Sequence, residues 1–438
     1  MTDDSLHDSA PSTARASDHS LQRTDLAQAP GASVLVLSQH FWPETFRINE
    51  VVESLQHAGC TVSVLTGQPN YPDGAIFPGY RAAAFGSQQH DAGYTIYRVP
   101  LVPRGGGTAR RLAANYLSFL ASACVLGPWV LRKERFDVIF VYGTSPILQA
   151  VAGIVFKWIK GAALVTWVQD LWPQSLEVTG FVRNRRVLAT VDAVVRWIYR
   201  RSDLLLAQSQ AFIPTVQAMA GDTRVEYHPN PGELAFGQAH AVHEPALVLE
   251  SGFNVVFAGN LGTVQALDTV LNAAELLQPH GDIRLVLIGS GGRSEWLRQE
   301  VARRGLDNVH LPGRFAPQAM PGILAQASAL LVSLARSPIM CQTVPSKIQA
   351  YLAAGRPIIA SLDGEGARVI AESGAGIACA AEDAKALADA VRTLRDADPV
   401  TLQRMGYAGR TYYRQHFDPD LLAGRLHEHF RRLVQSKR

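Results

Sequence analysis

The amino-acid sequence predicts an α/β protein of two parallel-sheet domains facing each other across a cleft. Three observations predict it. Short apolar runs of about four to eight residues, rich in Val, Ile and Leu, recur along the chain and are apolar throughout, as strands buried on both faces of a parallel sheet are. Stretches with helical periodicity separate these runs, as right-handed crossovers require. The 438 residues suffice for two or three domains, and the series of runs breaks once, near its middle.

The elements follow in order. Residues 1–30, rich in Ser, Asp, Ala, Gln and Thr without apolar periodicity, read as a disordered tail, with no secretory signal visible. In a first domain, 31–228, strands are expected at 33–38, 61–66, 94–99, 137–142, 163–168 and 203–208. The stretch 221–250 holds three prolines and three histidines and no clear period. The linker is assigned to 229–250, and the histidines of this stretch are expected in solvent. In a second domain, 251–415, strands are expected at 253–258, 283–288, 308–312, 329–333, 357–361 and 376–379. Residues 416–438 read as a helix that packs back on the first domain. In such folds ligands bind at the carboxyl ends of the strands.

Composition narrows the class. Lys plus Arg is 41 and Asp plus Glu 38, a net charge of +3, so a nucleic-acid partner gains no support. Hydrophobic residues make up 47%, which excludes a largely disordered chain. Cys60, Cys124, Cys341 and Cys379 lie far apart without a C-x-x-C pair, so neither a disulfide framework nor a zinc site is expected, and a reducing cytoplasm fits. No His/Asp/Glu cluster has metal-ligand spacing, and no Ser-His-Asp signature or G-x-x-x-x-G-K-[ST] loop is present. Neither a metal nor a cofactor is expected.

One run departs from the strand pattern. Residues 112–131, "LAANYLSFLASACVLGPWVL", are 20 residues without a charge, flanked by Arg110-Arg111 and "RKER". The length is near the spanning threshold, but Asn115, Ser118, Ser122 and Gly127-Pro128 interrupt it. A span would also put two halves of one domain on opposite sides of a bilayer. A buried core helix and a helix half-inserted at a membrane surface both remain open. From Arg98 to Arg201 there are 15 basic and five acidic residues, which suits an anionic membrane face or an ordinary solvated basic face.

Candidate chemistry sits in the loops after the strands. "SQHFWPETFRINE" follows the first strand and has no glycine, which argues against a dinucleotide-binding dehydrogenase. It offers Glu44, Arg47 and Asn49 just before a helix, where Arg47 could meet an anion or be a surface arginine. "QDLWPQSLEVTG" puts Asp170 where it could orient a substrate hydroxyl or cap a helix, and Trp172 where it could line a pocket or pack. In the second half, Gly259, Asn260 and Gly262, and then Gly289, Gly291, Gly292 and Arg293, follow successive strands. Such glycine loops let backbone N–H groups approach a phosphate. In "TVPSKIQAYLAAGRP", Ser346 is the expected N-cap and Lys347 stands in the first helical turn. A lysine there opposes the helix dipole, a conflict that a bound diphosphate would remove; the bland alternative is a solvated lysine.

Taken together, "VLVLSQHFWPE", "FAGNLGTVQALDTVLNAAELL", "LVLIGSGGRSEWLR" and "PSKIQAYLAAGRPIIASLDGEGARVIAESGAGIACAAED" resemble family-4 retaining glycosyltransferases of the GT-B fold, two Rossmann-like domains. "GQPNYPDGAIFPGY" and "TWVQDLWPQSLEVTG" add a likeness to the branch of colanic-acid (WcaI-like) fucosyltransferases and N-acetylfucosamine transferases. The resemblance runs from about residue 33 to 430. It implies transfer of a deoxyhexose-type sugar from a nucleotide diphosphate to a lipid-linked saccharide, at the cytoplasmic face of an inner membrane. It implies that Gly259, Asn260, Gly262, Gly289, Gly291, Arg314, Ser346 and Lys347 hold the donor. Lys347, Arg47 and helix N–H groups would then stabilise the leaving diphosphate, and Asp170 would position the acceptor hydroxyl. Glu44, Asn49 and Trp172 are the expected acceptor contacts. The sequence departs from the family at Phe46-Arg47 (commonly Gly-Gly), at Gln169 (commonly His), and at Gln342 and Ala350, where a Glu-x7-Glu pair is usual. A nucleotide-sugar epimerase of the same fold and a non-catalytic nucleotide-sugar-binding membrane subunit are the rival readings.

Overall fold

The computed structural model describes residues 31–178, 184–233 and 246–437; the tail at 1–30 and most of the assigned linker lie outside them. The first sheet contains β1 (Ser33–Leu37), β2 (Thr61–Thr66), β3 (Gly86–Gln89), β4 (Thr95–Arg98), β5 (Val138–Gly143), β6 (Ala163–Val168), β7 (Leu204–Ala207) and β8 (Val225–Tyr227). Its order is β3-β4-β2-β1-β5-β6-β7-β8, and every pair is parallel except β3–β4. The second contains β9 (Phe253–Ala258), β10 (Ile283–Ile288), β11 (Val309–Gly313), β12 (Ala329–Ser333), β13 (Ile358–Ser361) and β14 (Gly376–Cys379), all parallel, in the order β11-β10-β9-β12-β13-β14. Each expected apolar run is a strand. Two edge strands were illegible: β3, "GSQQ", has no apolar residue, and β8 is three residues long. In both sheets the strand order reverses beside the domain's first strand, β1 or β9. Crevices for ligands open at such switch points.

Helices cover both faces of each sheet. The first domain has α1 (Arg47–His57), α2 (Ala109–Val125), α3 (Gly127–Val130), α4 (Ala150–Lys160), α5 (Gln174–Val178), α6 (Arg185–Arg201) and α7 (Phe212–Ala220). The second has α8 (Leu267–Leu277), α9 (Ser294–Arg304), α10 (Met320–Leu324), α11 (Ser346–Ala354), α12 (Glu365–Ser373), α13 (Ala384–Asp396) and α14 (Pro399–His416). The last helix, α15 (Pro419–Lys437), returns to the first domain. There Leu426 and Phe430 are buried with Val34, Val36 and Trp167, and the Phe430 ring lies 5.4 Å from Phe140.

The chain crosses between domains at 228–233, and this crossing is pinned on both sides. The His228 carbonyl accepts from Trp167 Nε1 at 2.9 Å, and the Asn230 amide donates to Gln169 Oε1 at 2.8 Å. Gln349 of α11 donates to the Asn230 carbonyl at 3.1 Å. His228 therefore corrects the expectation of solvated histidines: it is buried, and burial pushes its imidazole down to about 3. His240 and His243 lie outside the described residues.

The uncharged run forms two consecutive helices. α2 gives way to α3 at Leu126, and Asn115, Phe119 and Ala123 form the buried stripe of α2. Leu117 (56% exposed), Val125 (71%) and Trp129 (55%) are exposed, so the run is not wholly core. Among the described residues no helix is long and apolar enough to cross a membrane. α4 and α6 continue the same outer face with exposed Trp158, Ile159, Val187 and Trp197. Arginines stack on the indoles: Arg132 lies 4.5 Å from Trp129, and Arg201 lies 5.8 Å from Trp158 and 5.9 Å from Trp197.

Candidate functional site

A cavity of about 600 Å³ opens at the carboxyl ends of β9 and β10. Gly259, Asn260, Gly289, Arg314, Ser346 and Lys347 line it, six of the eight residues expected to hold a donor. Gly262 and Gly291 do not; they shape its wall. A Cβ on Gly291 would sit 2.5 Å from Asn260 Oδ1, and one on Gly262 would sit 2.7 Å from Asn260 Nδ2. Backbone bonds extend the sheet into these loops: Gly259 N–H donates to Ile288 O at 2.9 Å, Leu261 N–H to Ser290 O at 3.0 Å, and Gly289 N–H to Gly313 O at 2.8 Å. Tyr351 closes the floor, its hydroxyl accepting from the Ala258 N–H at 2.8 Å.

Two glycines here are obligatory. Gly259 has φ +137° and Gly289 φ +141°, and a Cβ on Gly289 would fall 1.8 Å from the Gly259 carbonyl oxygen. That φ alone costs a larger residue about 1–3 kcal/mol. Gly289→Ala is therefore expected to lower the melting temperature by several degrees and to abolish ligand binding in the cavity. Gly292→Ala, with nothing within 4 Å of the added carbon, should match the wild type in both melting curve and calorimetric titration.

Lys347 is the distinctive charge. Ser346 is the first residue of α11 and Pro345 its cap, so the expected Ser346 N-cap shifts by one residue and Ser346 faces the cavity. Lys347 follows in the first turn, where the helix dipole opposes it. It makes no ion pair or hydrogen bond among the described residues; its ammonium sits 4.7 Å from the Phe257 ring centre. Burial pushes it down from the usual lysine range to about 8. A cation that is desolvated, dipole-opposed and unpaired is a site for an anion. Arg314, exposed on the loop after β11, adds a second cation with no ion pair among the described residues.

The first domain reaches the cavity through Glu233. Arg47 begins α1 and is ion-paired to Glu50 at 2.8 Å and to Glu233, on the cavity wall, at 3.2 Å. Asp170 follows β6 and accepts from the Ser145 N–H at 3.0 Å and hydroxyl at 2.8 Å. Arg47 and Asp170 both act on Tyr142 at the end of β5. Burial raises that phenol above its ordinary range, the Arg47 charge opposes the rise, and Asp170 adds to it. Neither residue lines the cavity itself.

The three expected acceptor contacts are all engaged within the protein. Glu44 is buried and fully used: its carboxylate accepts from the Asn70 and Tyr71 N–H groups at 2.6 and 2.7 Å and bonds His40 Nδ1 at 3.0 Å. Asn49 donates to the Glu44 carbonyl at 2.7 Å and braces the same loop. Trp172 is buried in the core, its Nε1 donating to Ser145 Oγ at 3.0 Å, so it orients Ser145 and, through it, the Asp170 pair. Arg293 is likewise occupied, paired with Asp268 and stacked on Trp296. At the departures from the family pattern, Ala350 presents a methyl group to the cavity, and the Gln342 amide donates to the Pro338 carbonyl at 3.1 Å. Among the described residues no group of three His, Cys, Asp or Glu side chains is placed to hold a metal.

Comparison with known proteins fits this geometry. Residues 45–231 match a family described as "Glycosyl transferase 4-like domain", and residues 252–396 match "Glycosyl transferases group 1". The chain is a glycosyltransferase, a 4-like domain followed by a domain of the group 1 type. WcaI of Escherichia coli (strain K12), named as a colanic acid biosynthesis glycosyl transferase, is 25% identical over 339 residues, covering 74% of this chain and 81% of WcaI. WbjE of Pseudomonas aeruginosa, named as a glycosyltransferase, is 24% identical over 323 residues, 70% of this chain and 77% of WbjE. Among solved structures, Anabaena HepE in complex with UDP superposes with a TM-score of 0.65 at 15% identity, covering 91% of this chain and all of HepE. The fold of this glycosyltransferase is GT-B.

Sequence reasoning missed Glu233 and His40. Glu233 was hidden because its stretch, "HPNPGE", reads as linker. His40 lies three residues past the observed end of β1, and only the fold shows that its Nδ1 meets the Glu44 carboxylate at 3.0 Å.

Proposed function

We propose that this glycosyltransferase is a retaining enzyme of polysaccharide biosynthesis: exopolysaccharide, capsule or O-antigen. It moves a sugar of fucose or N-acetylfucosamine type from a nucleotide diphosphate to a lipid-linked saccharide. The names of WcaI and WbjE and the UDP held by HepE support the class of reaction and of donor. The observation that carries the reading is Lys347: a half-buried, unpaired ammonium at a helix N-terminus, between two glycine loops.

The chemistry follows from the charges. As the bond from the sugar to the diphosphate breaks, negative charge grows on the leaving oxygen. Lys347, Arg314 and the free N–H groups at the start of α11 are already held to receive it, and a preorganised cation works without reorganisation. Arg47 approaches from the other domain and adds positive charge as the cleft closes. Asp170, held by Ser145, orients the acceptor hydroxyl. We assign the donor's charge to these side chains and N–H groups, without a resident metal ion. The acceptor's lipid end directs the enzyme to the cytoplasmic face of the inner membrane, and the aromatic, basic face formed by α2, α4 and α6 is the surface that would rest there.

A thermal-shift screen of UDP-, GDP- and dTDP-sugars, run in EDTA, tests the reading. One nucleotide series should raise the melting temperature, because ligand at 100 times its Kd stabilises by about 2.7 kcal/mol. No shift from any series would overturn the donor site, and a shift that disappears in EDTA would overturn the metal-free assignment.

A further inference from the structure

We propose that Glu233 reads the donor, its carboxylate accepting hydrogen bonds from two neighbouring hydroxyls of the nucleotide sugar. This rests on the cavity being the donor site. A nucleotide sugar brings three kinds of surface: a dianionic bridge, an apolar base face, and hydroxyls on ribose and sugar. The lining residues match the first with Lys347, Arg314 and glycine N–H groups, and the second with Phe315, Met320 and Leu324. For the hydroxyls the lining offers one acidic side chain, Glu233. A carboxylate suits adjacent hydroxyls because its two oxygens accept in parallel, and charge-assisted bonds are the strong ones.

The side chain is presented by a fixed backbone. A Cβ on Gly232 would meet the Tyr413 ring at 2.3 Å, so only glycine passes there, and the Gly232 N–H donates to the Phe417 carbonyl at 2.9 Å. Two residues earlier, Asn230 is tied to Gln169 of the first domain and Gln349 of the second. Glu233 is thus delivered to the cavity from the interdomain crossing rather than from the sheet that forms the rest of the wall. Arg47 takes Oε1 at 3.2 Å and holds the carboxylate in place; Oε2 carries no hydrogen bond among the described residues. The same carboxylate therefore touches both the donor and the first-domain arginine, which ties donor recognition to the arrangement of the two domains.

Calorimetry separates this from a structural role. The wild type, Glu233→Gln and Glu233→Ala, each checked for an unchanged melting curve, are titrated with inorganic pyrophosphate, with UDP, GDP and dTDP, and with the glucose ester of each nucleotide. Glu233→Ala should weaken the bound nucleotide sugar about tenfold or more and Glu233→Gln less, while pyrophosphate, which has no hydroxyls, binds as well as before or better. Loss shared by the nucleoside diphosphate assigns the ribose; loss confined to the sugar ester assigns the sugar. Unchanged affinity for all ligands, or an equal loss for pyrophosphate, would overturn the proposal. So would disappearance of the Glu233→Ala effect in an Arg47→Ala background, since Glu233 would then act only through Arg47. A wild type that binds pyrophosphate but no nucleotide overturns the donor reading itself.

Discussion

Replacing Lys347 with methionine is expected to stabilise the empty protein while abolishing its binding of nucleoside diphosphates. Methionine keeps an unbranched stem that packs beside Phe257 and removes the charge. The charge is costly because the ammonium is largely withdrawn from water and sits at the wrong end of a helix, with no carboxylate to pair it among the described residues; the face of the Phe257 ring offsets only part of that cost. Its pKa falls from 10.5 to about 8 on folding. The sign follows from proton counting. Between about pH 8 and 10.5 the unfolded chain binds more protons at this position than the folded one, so stability rises with pH through that window. Below pH 8 both states are charged, and the folded state bears the full penalty, at most about 3 kcal/mol. The wild type without ligand should therefore gain melting temperature between pH 7.5 and 9.5 relative to Lys347→Met. At pH 7.5 the variant should melt a few degrees higher.

A diphosphate reverses the balance. It supplies the missing anion, raises the lysine pKa again, and so should be bound with uptake of a fraction of a proton near pH 8. Titrations in buffers of different ionisation enthalpy measure that uptake directly. In Lys347→Met the uptake should vanish with the binding, and transfer should fall by roughly 10²–10³-fold or more, the usual cost of losing one preorganised charge partner. Equal nucleoside-diphosphate affinity in the two proteins would remove Lys347 from the site. A Met variant less stable than the wild type would mean that the lysine has a partner in the empty protein.

Lys347 also shows why much of the site was legible in sequence. A lysine one residue past Pro-Ser, at a helix start and ahead of a Gly-x-Pro stop, is wrong for local electrostatics, so it points to something not encoded locally. The glycines were legible for a related reason: a side chain at 289 would collide with backbone at 259, and short glycine loops after consecutive strands mark such approaches. Glu44, Asn49 and Trp172 show that residue type and loop position do not say which way a side chain faces. Glu44 turns inward to hold the N–H groups of residues 70 and 71, partners that are 26 and 27 residues away in sequence. Glu233 was illegible because its role comes from a crossing whose course is set by Tyr413 and Gln349, far along the chain. Strand positions needed only local pattern; the division of labour among loop side chains needed the assembled cleft.

The double substitution Trp129→Glu/Trp158→Glu is expected to release the protein from anionic vesicles without changing nucleotide binding. Both indoles are more than half exposed, Trp129 at 55% and Trp158 at 60%, so the folded core loses little when they change. Each carries a stacked arginine, Arg132 or Arg201, and Lys160 anchors the two regions to each other by donating to the carbonyls of Leu131 and Glu134 at 2.6 and 2.8 Å. An arginine on an indole suits an interface, because the ring can enter the acyl boundary while the guanidinium stays with the phosphates. Burying about 80 Å² more of each ring at about 25 cal/mol per Å² yields about 2 kcal/mol apiece, so the pair should change the partition constant close to a thousandfold. The surplus of ten positive charges between Arg98 and Arg201 adds attraction that salt screens. Wild type should therefore sediment with phosphatidylglycerol vesicles at low salt, more weakly at high salt, and weakly with phosphatidylcholine alone. The apolar surplus predicts that high salt leaves some binding, whereas a purely basic face would be stripped completely. Wild type that ignores both kinds of vesicle would return this face to solvent and leave the exposed tryptophans without a membrane role.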